Sequence, residues 1–115
     1  MGNTRETYLN ITEALGRLMG NNTLYIRMLK SFVNKSNFAE LTDALEKADF
    51  QTAALHAHTI KGVAANLSFP DLYQKMQILE GELKSGQTEG FSYAEAKESI
   101  ENTLQHINAV IAENA

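Results

Sequence analysis

His58 is followed by Thr59, Ile60, Lys61 and Gly62, a run that brings an imidazole, an ammonium and a position with no side chain within one turn of a helix. An imidazole nitrogen can take a phosphoryl group and pass it to a carboxylate, because the N–P bond it forms is itself reactive and the ring is partly neutral at pH 7. That chemistry needs access to the ring and charge to meet the phosphoryl oxygens. Lys61, three residues on and on the same side, supplies charge. Gly62, with the small residues Ala54 and Ala65, supplies access. Glycine inside a helix costs about 1 kcal/mol relative to alanine, and clearing space for a bulky group or a partner's backbone compensates for it. No aspartate is spaced to polarise the ring. There is also no Mg²⁺ carboxylate cluster and no phosphate-cradling glycine loop. Phosphoryl transfer would therefore require a partner that brings metal and acid residues.

A helix advances about 100° per residue, so Ala53, Ala57, Ile60, Ala64 and Leu67 form one apolar stripe and His58 falls roughly opposite Ile60. An imidazole placed there is presented rather than packed. Its neighbours at three and four residues are Ala54, Leu55, Lys61 and Gly62, with Gln51 and Ala65 one turn further out. Leu55 reads either as a loosely buried edge residue or as the exposed leucine of a docking surface. His56 lies nearer the apolar stripe and reads as a packed or hydrogen-bonded edge residue. His56 and His58 are two residues apart, the wrong spacing for two metal ligands on one helix. His106 reads as a surface residue of the last helix.

The elements that must carry these residues are all helical. No segment alternates apolar and polar residues over a useful length, and Pro70 is the single proline. Asn10 with Glu13 caps a short first helix ended by Gly20-Asn21. Asn22 caps a second, to about Lys35, with Leu24, Met28, Leu29 and Phe32 inward. Asn37 with Glu40 opens a segment carrying Leu41, Ala44, Leu45 and Ala48. Asp49 caps the histidine helix, which runs to about Leu67. Ser68 with Asp71 starts the next, whose core side is Leu72, Met76, Leu79 and Leu83, with Gly86 at its C-terminal cap. Ser92 with Glu95 caps the last, which carries Ile100, Leu104, Ile107 and Ile111, and residues 85–92 form a connection. Short connections favour antiparallel neighbours, hence an all-α, up-and-down four-helix bundle with a short extra N-terminal helix, as one domain over residues 1–115.

Composition narrows the function classes. A chain of 115 residues supports one core. Cysteine is absent, which excludes disulfides, thiolate metal sites and thiol nucleophiles. The formal charge of −4 argues against nucleic acid. No apolar run approaches the roughly 20 residues needed to span a bilayer, so no membrane contact is expected. The Met1-Gly2 start lacks the serine or threonine of a myristoylation motif, because Glu6 stands in its place. A soluble, cytoplasmic protein is expected. Arg5, Arg17, Arg27, Lys30 and Lys35 make the first third basic, and Glu95, Glu98 and Glu101 make the last helix acidic; both read as solvated surface.

The run His58-Thr59-Ile60-Lys61-Gly62 resembles the His-[Ser/Thr]-x-Lys-Gly signature of the histidine-containing phosphotransfer (HPt) domains of multistep phosphorelays. The segment 15–25 followed by Leu29-Lys30-Ser31-Phe32 is similar to the family's entry helix, turn and next helix, and Ala64-Ala65-Asn66-Leu67, Leu72, Met76 and Leu79-Glu80 match its apolar spacing. Ser68 departs from the family, which usually carries glycine there. The resemblance implies a four-helix bundle with His58 as the phosphorylated residue, assisted by Lys61 and Gly62. It implies a phosphocarrier rather than an enzyme, either free-standing or part of a hybrid sensor histidine kinase. The implied partners are response-regulator receiver domains and hybrid sensor kinases, with Mg²⁺ in the receiver, no cofactor of its own and a monomeric state. Gln51, Ala54, Leu55, Ala65, Glu80 and Lys84 are the implied partner-binding residues; Glu80 and Lys84 match positions that in the family face the phosphohistidine or the partner, with Glu80 standing where several relatives have glutamine. Two alternatives remain on the residues alone: a helical adaptor that binds a receiver or kinase domain without relaying phosphate, and a metal-binding bundle, which would need inward Glu and His pairs that the core stripes lack.

Overall fold

The protein is described by a computed structural model covering residues 4–35, 37–86 and 92–114. Seven helices occur among these residues: α1 (Thr4–Tyr8), α2 (Ile11–Arg17), α3 (Asn22–Lys35), α4 (Phe38–Glu46), α5 (Phe50–Leu67), α6 (Pro70–Lys84) and α7 (Tyr93–Glu113). Two short helices precede the bundle where one was expected. Of the connection expected over residues 85–92, residues 87–91 lie outside the described residues.

The connections dictate the antiparallel order. Ser68 and Phe69 alone separate α5 from α6, so the chain must reverse there, and α4 packs on α5 after a turn of three residues, 47–49. Glu82, near the end of α6, receives the Ser92 backbone N–H and hydroxyl at the start of α7, both at 2.7 Å. Asn22, at the start of α3, donates to Asn114 just beyond α7 at 3.0 Å. Helix α7 therefore runs against both α6 and α3, and α1 packs on α6 and α7. A guanidinium–carboxylate pair, Arg5 to Glu113 at 2.7 Å, ties α1 to the end of α7.

The apolar stripe on α5 is buried as its spacing required: Ala53, Ala57, Ile60, Ala64 and Leu67 all face the core. They meet Leu72, Met76, Leu79 and Leu83 of α6, also buried. Phe32 sits at the junction of α3, α4 and α6, edge-on to Phe38 at 5.4 Å and to Phe69 at 5.1 Å. On α3 the buried side chains are Tyr25, Ile26, Leu29 and Phe32, while Leu24 and Met28 are only half-buried. On α7 the inward face is Ala96, Ser99, Ile100, Thr103, Ile107 and Val110, with Leu104 and Ile111 half-buried at its edge. Two small polar residues inside this stripe disguised its phase.

Several helix starts differ from expectation. Asn10 does cap α2 through the Glu13 N–H, and Asp49 caps α5 through the Thr52 N–H. The cap of α3 is Asn21, not Asn22: its side chain accepts from the Leu24 N–H at 3.0 Å. Asn37 makes no capping bond and meets His56 instead; Ser92 makes none because Glu82 takes its hydroxyl. Ser68 does not start α6. It ends α5 in the left-handed region, φ 61°, and Phe69 is the residue before Pro70. A serine there accepts strain that glycine would avoid, but its hydroxyl takes a bond from the Arg17 guanidinium, which also reaches the Ala65 and Asn66 carbonyls at 2.9 and 3.1 Å. Arg17 thus satisfies the free carbonyls at the C-terminus of α5 and fastens α2 to it.

Candidate functional site

His58 occupies the middle of the outward face of α5, and its side chain is 62 % exposed. Its Nδ1 lies 3.0 Å from Oε2 of Glu80, which reaches across from α6. Glu80 itself is buried, at 4 % exposure. The Lys61 ammonium lies 2.8 Å from the other oxygen, Oε1, and the Lys84 ammonium 2.6 Å from Oε2. One carboxylate from α6 therefore gathers the imidazole and both lysines into a single cluster.

The charge state of the cluster follows from these contacts. Burial alone would push the Glu80 carboxyl up, but hydrogen bonds from Lys61, Lys84 and His58 outweigh it and hold the group down at about 2. The bond to Glu80 in turn raises Lys61 above the ordinary lysine value, so both partners are charged at neutral pH. An ionised carboxylate has only lone pairs to offer. The Nδ1 of a neutral His58 must then carry the ring proton and donate it, which leaves Nε2 with the free lone pair. Thr59, beside it, spends its hydroxyl on the Leu55 carbonyl at 3.1 Å.

Gly62 is exposed and helical, and a Cβ added there would meet no heavy atom within 4 Å. Its φ lies outside the left-handed region. Neither backbone geometry nor internal packing calls for glycine at this position. What the missing side chain leaves open is the space one turn from the imidazole.

The remaining candidates spread along the same face with one correction. Gln51 and Ala65 are exposed, Leu55 is 63 % exposed, and Lys84 is exposed while paired to Glu80. Ala54 is buried with the core, not open as expected; it lines an open hollow of ≈ 720 Å³ together with Gln51, Leu55, His58, Leu83 and Lys84. Of the two placements the resemblance allowed Glu80, toward the phosphohistidine or toward a partner, Glu80 takes the first and lies beneath the imidazole. The carboxylate missing from the local sequence around His58 is thus supplied by the next helix. A signal for it existed: Glu80 sits four residues after Met76 and three before Leu83, on the core stripe of α6, where a carboxylate must find partners. Tyr73 was missed altogether. It is partly exposed on α6, the helix that carries Glu80.

The other two histidines lie apart from this cluster. His56 Nδ1 meets the Asn37 amide at 3.1 Å and is half-buried, as an edge residue should be. His106 is not plain surface: it stacks on Tyr8 with ring centroids 5.3 Å apart, because α1 covers that part of α7. Among the described residues no group of three or more His, Cys, Asp or Glu side chains is placed to hold a metal ion, and no helix is long and apolar enough to cross a membrane.

The site is thus an exposed histidine on a helical bundle, backed by a buried carboxylate and two lysines. The Hpt domain family model matches residues 28–112, and the chain belongs to that family, whose members carry phosphoryl groups on histidine in phosphorelays. No curated protein and no solved structure matches the chain.

Proposed function

We propose that this chain is a histidine phosphotransfer module in which Nε2 of His58 accepts a phosphoryl group from a receiver-domain aspartate and returns it to another. The observation that carries the reading is the posture of His58: exposed, with Nδ1 engaged by Glu80 and Nε2 left as the nucleophile. In the accepting direction the Nε2 lone pair attacks phosphorus, and the P–O bond to the aspartate breaks with its electron pair returning to the carboxylate. Donation is the reverse. Lys61, and Lys84 across the groove, stand ready to share the charge of the phosphoryl oxygens. Gly62 leaves room for the receiver's catalytic face, and the Mg²⁺ is the receiver's contribution.

Gln51, Leu55 and Ala65 form the docking face around the histidine, with the Ala54 floor and Lys84 on one side and Tyr73 on the other. The receiver belongs to a response regulator or a hybrid sensor kinase, and the chain works as a cytoplasmic monomer. The test is a His58→Gln variant presented with phosphorylated receivers. Loss of transfer with binding retained supports the relay, whereas a variant that still passes the signal favours a binding-only adaptor.

A further inference from the structure

Glu80 reaches His58 from α6, so Gly81, the next residue, stands on α6 at the level of the imidazole. A step of about 100° carries it out of the cluster and away from the buried Leu72, Met76, Leu79 and Leu83, onto the outermost line of the helix. Gly81 is exposed, its φ lies outside the left-handed region, and an added Cβ would meet no heavy atom within 4 Å. Glycine is the poorest helix former after proline. It is not needed to end α6, because Gly86, at φ 86°, supplies the left-handed residue past that end. The neighbours of Gly81 at three and four residues are Gln77, Ile78, Lys84 and Ser85. Ile78 is 44 % exposed, and Gln74, Gln77 and Ser85, which border the pair, are exposed and uncharged. A gap and an exposed aliphatic side chain thus lie together on the outer line of α6, in neutral surroundings.

Resting on the phosphotransfer reading, we infer that Ile78 and the gap at Gly81 form the selective edge of the docking surface, where the chain distinguishes one receiver domain from another. His58, Lys61 and Gly62 face the aspartyl phosphate, its metal and the catalytic face around them, which every receiver must bring. Contacts there cannot tell receivers apart, so discrimination has to come from residues outside the reacting centre. Helices α5 and α6 pack on each other; packed helices lie roughly 8–10 Å apart, and a folded domain is on the order of 30 Å across. A receiver centred on His58 therefore also covers the outer line of α6. The same distances decide the occupant, because a second copy or any other domain seated on Ile78 and Gly81 would stand over the imidazole and exclude the receiver.

The surface also specifies what the favoured receiver presents. A side chain that fills the gap at Gly81 rests against Ile78 and the aliphatic stem of Lys84, so it is aliphatic or aromatic, with a neutral polar rim to match Gln74, Gln77 and Ser85. A cationic side chain at that point would face the Lys84 ammonium. The adjoining carboxylates offer it nothing, since Glu80 is buried and held by Lys61, Lys84 and His58, and both oxygens of Glu82 are taken by Ser92. A receiver that carries such a cation is therefore disfavoured.

The experiment measures single-turnover transfer from a panel of phosphorylated receivers to the whole chain, at varied receiver concentration, for the wild type, Gly81→Gln and Ile78→Ser. Circular dichroism checks that each variant folds. With the receivers that the wild type accepts best, both variants should raise the half-saturating concentration roughly tenfold or more while the maximal rate stays within about twofold. With the receivers it accepts poorly, both parameters should stay within about twofold, so the preference narrows. A loss of the same size with every receiver, or no loss, overturns the inference and leaves the phosphotransfer reading intact. NMR supplies a test without any variant: adding a well-accepted receiver to the ¹⁵N-labelled wild type should shift the amides of Gln77, Ile78 and Gly81 together with those around His58. Silent amides at these three positions overturn the inference even if a variant folds poorly. A wild type that sediments as a dimer, and that Gly81→Gln splits with faster transfer, gives the surface to a second copy and overturns it as well. A wild type that takes no label on His58 from any receiver or from potassium phosphoramidate overturns both readings.

Discussion

Gly62→Gln separates internal from external reasons for a glycine one turn from the histidine. The position is helical, its φ is ordinary, and an added Cβ meets no heavy atom within 4 Å. The substitution should therefore stabilise α5 by some tenths to about 1 kcal/mol, the helix-propensity difference alone. For a domain of this size that is a rise in Tm of roughly 2–6 °C. Transfer should move the other way. A glutamine side chain at Gly62 projects into the space beside His58, and a receiver held back even slightly loses the in-line approach, so the rate should fall at least tenfold, about 1.4 kcal/mol of barrier. Thermal denaturation by circular dichroism reads the first effect and single-turnover transfer from a phosphorylated receiver reads the second. A variant that is more stable and slower is the expected pair. A drop in Tm would show that something within the chain requires glycine, and an unchanged rate would show that access is not its purpose.

Phosphate on His58 should be a phosphoramidate, lost in acid and kept in mild base; His58→Gln should abolish it, while His56→Gln and His106→Gln retain it. His56→Gln should lose about 1 kcal/mol through its bond to Asn37, and His106→Gln a similar amount through the Tyr8 stack, both measurable by urea denaturation. Lys61→Ala should still accept phosphate, but several-fold more slowly, because Lys84 and the receiver's metal remain to share the charge; quench-flow transfer kinetics check this. Stability should also depend on pH through Glu80. Its folded pKa is depressed to about 2, so its contribution is fully present above the ordinary carboxylate range and is lost as pH falls toward 2. With Lys84 exposed and screened by solvent, that contribution is at most about 2 kcal/mol. Denaturant unfolding of the wild type and Glu80→Gln across pH 2–7 should show the gap between them closing in acid, and a gap independent of pH would argue against the ion cluster.

The parts of this protein that could be read from sequence are those where one periodicity acts alone. On α5 the small apolar residues recur without interruption, and both the buried stripe and the exposed His58 followed from it. On α7 the stripe contains Ser99 and Thr103, so the apolar spacing pointed one position aside, to Leu104 and Ile111. Capping signals were legible where the side chain had no competitor, at Asn10 and Asp49, and misleading where a distant residue claimed it, as Glu82 claims Ser92 and His56 claims Asn37. The site divided in the same way. Lys61 and Gly62 share a helix turn with His58 and could be placed by spacing, whereas the bond between Glu80 and His58 joins two helices and depends on their relative rotation. Arg17 at the end of α5 is a tertiary contact over 48 residues, with no local pattern to announce it.

The most direct measurement is the site and chemistry of the phosphoryl group itself. The chain is incubated with a panel of phosphorylated receivers, and the labelled protein is mapped by mass spectrometry under basic conditions and by ³¹P and ¹⁵N NMR. The expected result is a single acid-labile phosphoramidate on Nε2 of His58, reversibly returned to unphosphorylated receiver. Label on His56, on a carboxylate or on Nδ1 of His58, or label that survives His58→Gln, would contradict it.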